Sequence, residues 1–339
     1  MSKKNSSVNL KNNFKEFQDL SSIFLNFKSK LDSINKKKYL VAVSGGPDSL
    51  ALVALTIAYT NLKKVKFHYV LVDHSIRKNS HQEAKKVKNI LKKQKISLEI
   101  ILNKKIITKN IQSEARNVRY EILKNYCLKK RITTILTAHN LEDQVETFFI
   151  RLSRGSGLKG LSAMTPFRKI NSKVALCRPL LDVRKNFLIK ISKKTFGKFV
   201  KDPSNKDEKY LRTKIRNLKK PLENSGIKYE QIFKSIQNLS FSRSTLDNYF
   251  EKIFKKLINV RNKEVSINFR KFNQLNDEVK IVLINQSIKK IKKNYYDVRS
   301  RKVQNLIKNL SKSNFKKSTL GGCIFFKKDG NLCLKQEKL

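Results

Sequence analysis

The feature that most constrains this chain of 339 residues is a short glycine-bearing segment between two apolar runs. Residues 38–43 favour a β-strand, the segment at 44–49 contains two glycines and a proline, and residues 50–60 are apolar and compatible with a helix. A strand, a tight loop and a helix in this order present backbone N–H groups at a helix N-terminus, where anions bind. The segment therefore predicts a phosphate-binding loop.

This segment, called here the phosphate loop (residues 44–49), lacks the Gly-Lys-Ser/Thr ending of a Walker loop. Its two serine hydroxyls can donate to phosphate oxygens, and the carboxylate of Asp48 can hold Mg²⁺ or accept from the loop's own amides. An ordinary Gly-Pro turn before a helix is the alternative. The residues predicted to contact phosphate are Ser44, Gly45, Gly46, Pro47, Asp48 and Ser49.

Strand and helix patterns alternate after the phosphate loop. The periodicity predicts strands at 65–72, 98–102 and 133–137 and amphipathic helices at 80–94 and 113–131. This alternation indicates an α/β fold of βαβ units with a parallel sheet, whose ligands bind at the carboxyl ends of the strands. The phosphate loop, Asp73-His74 and residues 139–143 should therefore share one edge of the sheet.

The sequence changes character beyond Gly160. A loop-rich basic stretch precedes helical periodicity at 229–260, and an Asp329-Gly330 turn between two apolar runs is typical of a β-hairpin. We therefore predict four parts along the chain: a basic extension at 1–30, a nucleotide-binding domain at 31–217, a helical domain at 218–295 and a small α+β module at 296–339.

The charge of the chain indicates the kind of partner. The formal net charge is +50, and residues 151–220 are especially rich in Lys and Arg. Because binding to a phosphate backbone requires such a concentration, nucleic acid is the leading partner. Two alternatives stay open: a genomic composition that inflates lysine throughout the chain, and attraction to an anionic membrane surface.

The sequence shows neither a membrane span nor a secretion signal, since no apolar run approaches about 18 residues. We expect a cytoplasmic protein that does not bind membranes. Cys127, Cys177, Cys323 and Cys333 lack C-x-x-C spacing, which argues against zinc, iron–sulfur and disulfide sites. The oligomeric state stays open, with a homodimer as one option.

Two charged pairs at i,i+3 spacing are candidate ligand-binding groups. Asp143 and Glu146 would lie on one helical face, where two carboxylates repel unless a cation such as a substrate ammonium lies between them. The alternative is helix capping, with Asn140 as the N-cap and the acids favoured by the helix dipole. Arg116 and Arg119 can likewise present two guanidinium groups to phosphate or carboxylate, or simply be solvated.

The phosphate loop resembles the S-G-G-x-D-S loop of the N-type ATP pyrophosphatases, which bind ATP and release pyrophosphate while transferring AMP to an acceptor. Further segments resemble the tRNA(Ile)-lysidine synthases of that superfamily in order and spacing. They read Asp-His-Ser-Ile-Arg at 73–77, Glu-Ala-Arg-Asn-Val-Arg-Tyr at 114–120, Ala-His-Asn-Leu-Glu-Asp-Gln-Val-Glu-Thr at 138–147 and Arg-Gly-Ser-Gly-Leu-Lys-Gly-Leu at 154–161, with weaker echoes at 178–181, 202–205 and 210–216.

This resemblance implies a Rossmann-like parallel sheet of the adenine-nucleotide α-hydrolase type. It also implies a ligase that uses ATP and Mg²⁺ to adenylate the C2 oxygen of the wobble cytidine in tRNA(Ile) with a CAU anticodon. The side-chain amine of L-lysine would then displace AMP. The products would be lysidine, AMP and pyrophosphate.

The resemblance further implies roles for individual residues. Asp48, Arg119 and Asp143 would be catalytic, with Asp48 near Mg²⁺. His139 would join the phosphate loop in binding ATP, and Asp143 would bind lysine together with Glu146. Residues 151–160 would form a loop that closes over the site or contacts tRNA, a plain basic loop being the alternative. The candidate tRNA contacts are Arg151, Arg154, Lys159, Arg212, Lys214 and Arg216.

The sequence of this chain differs from the pattern that is common in the family at His139-Asn140, at Glu142-Asp143 and at 212–216.

Two other functions stay open. A tRNA thiolase on the same nucleotide domain would need a catalytic cysteine, for which Cys127 and Cys177 are the nearby candidates, although both are typical of packing residues. The other is a nucleotide-sensing RNA-binding module without catalysis.

Overall fold

The computed structural model describes residues 18–76, 79–107, 111–200, 211–261, 264–292, 298 and 300–337. The chain divides into two compact units, residues 1–240 and residues 241–339. Among the helices that the structure describes, none is both long and apolar enough to cross a membrane.

The first unit is built on a six-stranded sheet. Its strands are β1 (Lys38–Ala42), β2 (Lys66–Asp73), β3 (Leu98–Leu102), β4 (Thr134–Leu136), β5 (Phe167–Lys169) and β6 (Ala175–Cys177). They lie in the order β3-β2-β1-β4-β6-β5, and every pairing is parallel except that of β5 with β6. The strand order reverses between β1 and β4, which makes the carboxyl ends of these two strands the expected ligand crevice.

Helices follow the strands of the first unit as the sequence predicts. They are α1 (Gln18–Ile34), α2 (Pro47–Thr60), α3 (Ser80–Lys92), α4 (Ile111–Lys130), α5 (Leu141–Leu152), α6 (Leu158–Leu161), α7 (Lys185–Phe196), α8 (Leu211–Asn217) and α9 (Lys219–Asn224). α2 is apolar nearly all round and is buried because it packs against β1, β2, α1 and α7. The predicted α/β fold with a mainly parallel sheet is confirmed.

Helix α1 corrects the expectation of a basic extension at 1–30. Leu20, Phe27 and Leu31 are buried in the core that also contains β1 and α2. The physical reason is an apolar stripe with helical spacing that the lysine-rich composition of the N-terminus obscures. The first unit therefore includes residues 18–30, whereas residues 1–17 lie outside the described residues.

Helix α10 (Tyr229–Leu257) runs from the first unit into the second, which is α+β. The remaining elements of the second unit are β7 (Ile258–Arg261), β8 (Glu264–Asn268), α11 (Phe269–Asn273), α12 (Asp277–Ile291), α13 (Ser300–Leu310), β9 (Lys317–Leu320), β10 (Cys323–Lys328) and β11 (Asn331–Gln336). The strands form an antiparallel sheet in the order β7-β8-β11-β10-β9, and the predicted Asp329-Gly330 turn joins β10 to β11.

The predicted helical domain at 218–295 also contains strands. β7 and β8 pair with each other, and β8 pairs with β11, so that the α+β unit extends well before residue 296. Only Val265 and Ile267 of β8 are buried, and this short alternation is a weak signal beside the long periodic helix that precedes it.

Candidate active site

The phosphate loop is organised around the hydroxyl of Ser49. Its Oγ accepts from the backbone N–H groups of Ser44 at 3.2 Å and Gly45 at 3.0 Å, and donates to the carbonyl of Gly46 at 3.0 Å. The sequence predicts that both serine hydroxyls donate to phosphate. In the structure, the Ser44 hydroxyl donates to Ser49 at 3.2 Å, so the Ser49 hydroxyl holds the loop in shape.

Gly45 cannot carry a side chain in this loop. Its φ is +85°, and a Cβ atom there would lie 2.3 Å from Cγ2 of Val87 on α3. Its carbonyl accepts from the N–H of Val200 at 3.0 Å, which fastens the loop on its other side. Gly46 is the N-cap of α2 and Pro47 begins the helix, so the N-terminus of a buried 14-residue helix follows the loop.

Asp48 lies in the first turn of α2 with an unusual environment for a carboxylate. Its Oδ1 is buried and has no hydrogen-bond partner among the residues that the structure describes, and its Oδ2 lies 3.9 Å from Nζ of Lys185. Burial raises the pKa of Asp48 to about 6, and the neighbouring Asp143 and Glu142 raise it further, whereas Lys185 and the side chain of Asn140 oppose the rise.

An Mg²⁺ ion fits this arrangement. Mg²⁺ is commonly held by one or two carboxylates together with substrate phosphates, and Asp48 offers a buried oxygen without a partner beside a phosphate-binding loop. Within the described ranges, no group of three or more His, Cys, Asp or Glu could hold a metal by protein ligands alone. The carboxylate of Asp48 would thus need phosphate oxygens to complete the coordination.

The substitution Asp48→Asn should stabilise the ligand-free protein at pH 7.5. Above about pH 6 this carboxylate is ionised in both folded and unfolded states, and the folded state bears the cost of burying it, about 3 kcal/mol. Between about pH 6 and pH 4, proton uptake by the folded state removes that cost. Urea unfolding at pH 7.5 and pH 4.5 should therefore show a stabilisation at the higher pH that shrinks at the lower. A variant less stable than wild type at pH 7.5 would contradict this account.

Helix α5 begins with a capping box. The side chain of Asn140 accepts from the N–H of Asp143 at 3.0 Å, and Oδ2 of Asp143 accepts from the N–H of Asn140 at 3.1 Å. The capping alternative is therefore observed, but it uses only one oxygen of Asp143. The other oxygen remains available for a different partner.

That partner is an arginine from α8. Four residues form what we call the acid–arginine cluster: Asp143, Glu146, Arg212 and Arg216. Arg212 donates through Nη2 to Oδ1 of Asp143 at 2.6 Å and through Nε to Oε2 of Glu146 at 2.5 Å. Arg216 donates through Nε to Oε1 of Glu146 at 2.6 Å. The side chain of Glu146 is only 4% exposed, whereas those of Arg212 and Arg216 are about one-third exposed, so these charge pairs are partly buried.

The cluster differs from the expectation that Arg212 and Arg216 contact tRNA. Both side chains point at the acids of α5, whereas Lys214, on the opposite face of α8, is exposed. The reason is the helical period, since positions four apart share a face and the position between them does not. Sequence reasoning found all four residues of the cluster but not their pairing.

A cavity of about 360 Å³ opens beside the cluster. Glu142 on its wall accepts from the backbone N–H of Lys185 at 2.9 Å and lies 3.4 Å from Nζ of Lys219. The other lining residues are Glu146, Arg184, Asn186, Ile189, Arg216, Glu223, Tyr229 and Glu230. Lys185 and Lys219 were missed at the sequence level, because single lysines in a lysine-rich chain carry no local signal.

Two histidines near the carboxyl ends of β2 and β4 are neutral at pH 7. Arg119 donates through Nε to Nε2 of His74 at 3.3 Å, and burial together with Arg119 lowers the pKa of His74 to about 4. Nδ1 of His139 lies 3.0 Å from the hydroxyl of Thr137, and burial and four arginines hold the pKa of His139 well below its usual range. Positive charge at this edge therefore comes from arginine rather than from histidine.

The basic loop at 151–160 divides into structural and exposed positions. Arg151 donates through Nη1 to the carbonyls of Gly160 at 2.7 Å and Ala163 at 2.8 Å, so its guanidinium holds the loop in place. Arg154 and Lys159 are exposed. Of the three basic residues predicted to contact tRNA here, these two have side chains directed to the surface.

The candidate catalytic cysteines are buried. Cys127 is 0% and Cys177 is 2% exposed, and burial raises the pKa of each thiol to about 12. Such thiols are not ionised at neutral pH and are poor nucleophiles. Both belong to the apolar core of the first unit, as predicted for packing residues.

Comparison with known proteins identifies the family of this chain. Residues 18–222 match the PP-loop domain family. The tRNA(Ile)-lysidine synthase of Wolbachia pipientis wMel is 33% identical over 302 residues, which cover 88% of this chain and 70% of the relative. That of Rickettsia akari is 31% identical over 323 residues, covering 92% of this chain and 72% of the relative.

A solved structure also shares the fold. A U34-tRNA thiolase from Methanococcus maripaludis, which carries a 4Fe-4S cluster, superposes with a TM-score of 0.55 over 65% of this chain and 79% of its own, at 17% identity. That likeness concerns the fold alone. The family match over most of the first unit, together with the lysidine synthase relatives over most of the chain, shows that this protein belongs to the tRNA(Ile)-lysidine synthase family of PP-loop proteins.

Proposed function

We propose that this protein is an ATP-dependent ligase that forms lysidine at the wobble cytidine of CAU-anticodon tRNA(Ile). The observation that carries the proposal is the proximity of the phosphate loop to the acids of α5. Lys185 contacts both: its Nζ lies 3.9 Å from Oδ2 of Asp48, and its backbone N–H donates to Glu142 of α5 at 2.9 Å, so a nucleotide and an amine could be held side by side. This activity places the protein in the cytoplasm, which holds tRNA.

The reaction has two displacements that balance as follows. The C2 oxygen of the cytidine bonds to the α-phosphorus of ATP, and the bond to pyrophosphate breaks. The side-chain amine of L-lysine then bonds to C2, the C2–O bond breaks and AMP leaves, while the nitrogen loses a proton. Neither step requires a covalent bond to the enzyme, so positioning and electrostatics supply the rate.

For the first displacement, the phosphate loop holds the triphosphate through its backbone N–H groups at the start of α2. Asp48 would hold Mg²⁺, which when bound offsets the charge of the phosphates. Arg119, kept beside a neutral His74, supplies positive charge at the edge where the adenylate forms, and His139 lies at the same edge. These roles follow from position at the carboxyl ends of β1, β2 and β4.

For the second displacement, Asp143 and Glu146 hold the amine of lysine, and the adjoining cavity holds the rest of the amino acid. The cavity wall carries both acidic and basic side chains, which suits a zwitterion. The exposed basic residues Arg154, Lys159 and Lys214 are suited to contact tRNA phosphates.

The decisive test is mass analysis of nucleosides from CAU-anticodon tRNA incubated with the protein, ATP, Mg²⁺ and isotope-labelled lysine. We expect labelled lysidine, with pyrophosphate and AMP released in equal amounts. Asp143→Ala should slow lysine incorporation at least 100-fold while leaving ATP binding within about threefold. Binding of ATP and tRNA without any pyrophosphate release would instead indicate an RNA-binding module without catalysis.

The thiolase alternative has a matched control. Because Cys177 is buried with a raised pKa, Cys177→Ser should retain most of the lysidine-forming activity. Loss of activity in Cys177→Ser together with full activity in Asp143→Ala would favour a thiolase.

A further inference from the structure

We propose that Arg212 and Arg216 lower the basicity of the bound lysine amine, by neutralising the carboxylates that would otherwise hold it as an ammonium ion. This inference rests on the proposed function and makes the two arginines positioning residues, which act on the amine through Asp143 and Glu146 in the second step. An ammonium nitrogen has no lone pair, so only the free amine can attack C2. The site must therefore bind the lysine amine without favouring its protonated form.

The contacts of the two acids support this role. Oδ1 of Asp143 accepts from Arg212, and its Oδ2 accepts from the N–H of Asn140. Oε1 of Glu146 accepts from Arg216, and its Oε2 accepts from Arg212 and, at 3.3 Å, again from Arg216. All four oxygens already carry donors. A carboxylate has about four lone-pair sites, so each can still accept one hydrogen bond from an amine.

In the part of the chain that the structure describes, six carboxylates and five basic side chains form or surround the cluster. Asp48 comes from α2, His139 from the loop before α5, and Glu142, Asp143 and Glu146 from α5. Arg184 is the N-cap of α7, Lys185 is the first residue of that helix, and Arg212 and Arg216 come from α8. Lys219 and Glu223 come from α9, and Tyr229 and Glu230 from α10. Each acid has a basic partner within 4.0 Å, Lys219 being shared by Glu142 and the more exposed Glu223. His139 and Tyr229 are uncharged at neutral pH.

The pairing of Asp143 and Glu146 with Arg212 and Arg216 decides the protonation state of the amine. Two unpaired carboxylates within about 4–6 Å would raise the pKa of an amine, and burial would lower it. With both carboxylates paired, burial prevails and the amine loses its proton more readily, as for other amines activated beside cationic groups. When the amine nitrogen bonds to C2, it carries one proton more than the nitrogen of the product. This proton passes to Asp143, whose side chain is 17% exposed and can release it to solvent more easily than that of Glu146, which is 4% exposed.

The substitution Arg216→Gln tests the inference, since glutamine can still donate to Glu146 but carries no charge. Enzyme charged with ATP and tRNA is mixed with lysine, and the single-turnover rate of lysidine formation is followed from pH 6 to pH 10. We expect the KM for lysine at pH 7 to fall about tenfold, the rate at saturation to fall about tenfold, and the acidic limb of the rate to move up by about one pH unit.

If Arg216 has a purely structural role, Arg216→Gln raises the KM for lysine and leaves the acidic limb of the rate unchanged, and that result would overturn the inference. The matched control is Arg243→Gln, which removes a guanidinium paired to Asp247 in the second unit and should leave the lysine parameters unchanged.

Wild-type enzyme provides the measurement that does not depend on folding of the variant. If the amine is activated as inferred, the acidic limb of the single-turnover rate of the wild-type enzyme lies at least one pH unit below the ordinary lysine pKa of about 10.4. A wild-type limb near pH 10 refutes the inference even if Arg216→Gln is unfolded. Pyrophosphate release with ATP, tRNA and lysine all present is recorded in parallel. Its absence from wild type defeats the proposed function itself, whereas its presence with unshifted limbs defeats only the role of the arginines.

Discussion

Replacing Gly45 with alanine will reduce the rate of ATP-dependent pyrophosphate release at least 100-fold. The added methyl group would lie 2.3 Å from Cγ2 of Val87, and the φ of +85° is itself unfavourable for alanine by about 1–2 kcal/mol. The loop must shift to relieve the contact, and a displacement of about 1 Å in a positioning element can reduce a rate about 100-fold. Pyrophosphate release and ATP affinity are the measurements.

The chain offers two controls for this prediction. Gly226 has an almost identical φ of +86° but open space where its Cβ would lie, so Gly226→Ala isolates the backbone effect and should cost little activity. Val87→Ala removes the atom that Gly45→Ala would strike. The double variant Gly45→Ala/Val87→Ala should therefore recover at least tenfold over Gly45→Ala alone. No recovery would mean that φ, rather than the contact with α3, forbids a side chain.

The second large effect should come from Glu146→Gln, which removes one charge and keeps the shape. Arg212 and Arg216 would lose a shared, buried partner, so the free energy of unfolding should fall by about 2–3 kcal/mol, less than for fully buried pairs because both arginines are about one-third exposed. Lysine incorporation should fall at least 100-fold, since the amine loses an acceptor and faces two unbalanced cations.

Urea unfolding and single-turnover lysine transfer measure the two effects of Glu146→Gln separately. The matched control is Glu121→Gln on α4, which removes a carboxylate that is 57% exposed and paired with Lys124 at 3.0 Å. An exposed pair contributes less than about 1 kcal/mol, so this control should unfold within that margin of wild type. Equal losses of stability in the two variants would show that the acid–arginine cluster does not stabilise the fold.

The α/β core of the first unit could be predicted from sequence because its signals are local. The apolar run before Ser44, the glycines after it and the helix-compatible residues that follow are contiguous, and each later strand is bounded by polar turns. The edge that carries the phosphate loop and α5 then follows from the parallel arrangement alone. The hairpin at Asp329-Gly330 was equally predictable from its turn residues.

The acid–arginine cluster could not be predicted in the same way. The i,i+3 spacing of Asp143 and Glu146 shows that they share a helical face, but their partners lie 66 to 70 residues later in the chain. On α8 the sequence shows only a short basic helix, and a basic helix in a chain of net charge +50 favours a tRNA contact. Pairing between residues so far apart in the chain depends on tertiary packing, which local periodicity does not predict.

The position of α8 in the chain has a consequence for biosynthesis. A nascent polypeptide that has emerged only as far as residue 200 already contains every strand of the parallel sheet and the phosphate loop, but neither guanidinium of the cluster. Its α5 would then hold two neighbouring carboxylates without counter-ions, which opposes burial of that face. Maturation of the proposed lysine site therefore waits for translation of α8, and products truncated before residue 211 would contain the phosphate loop without the arginines of the acid–arginine cluster.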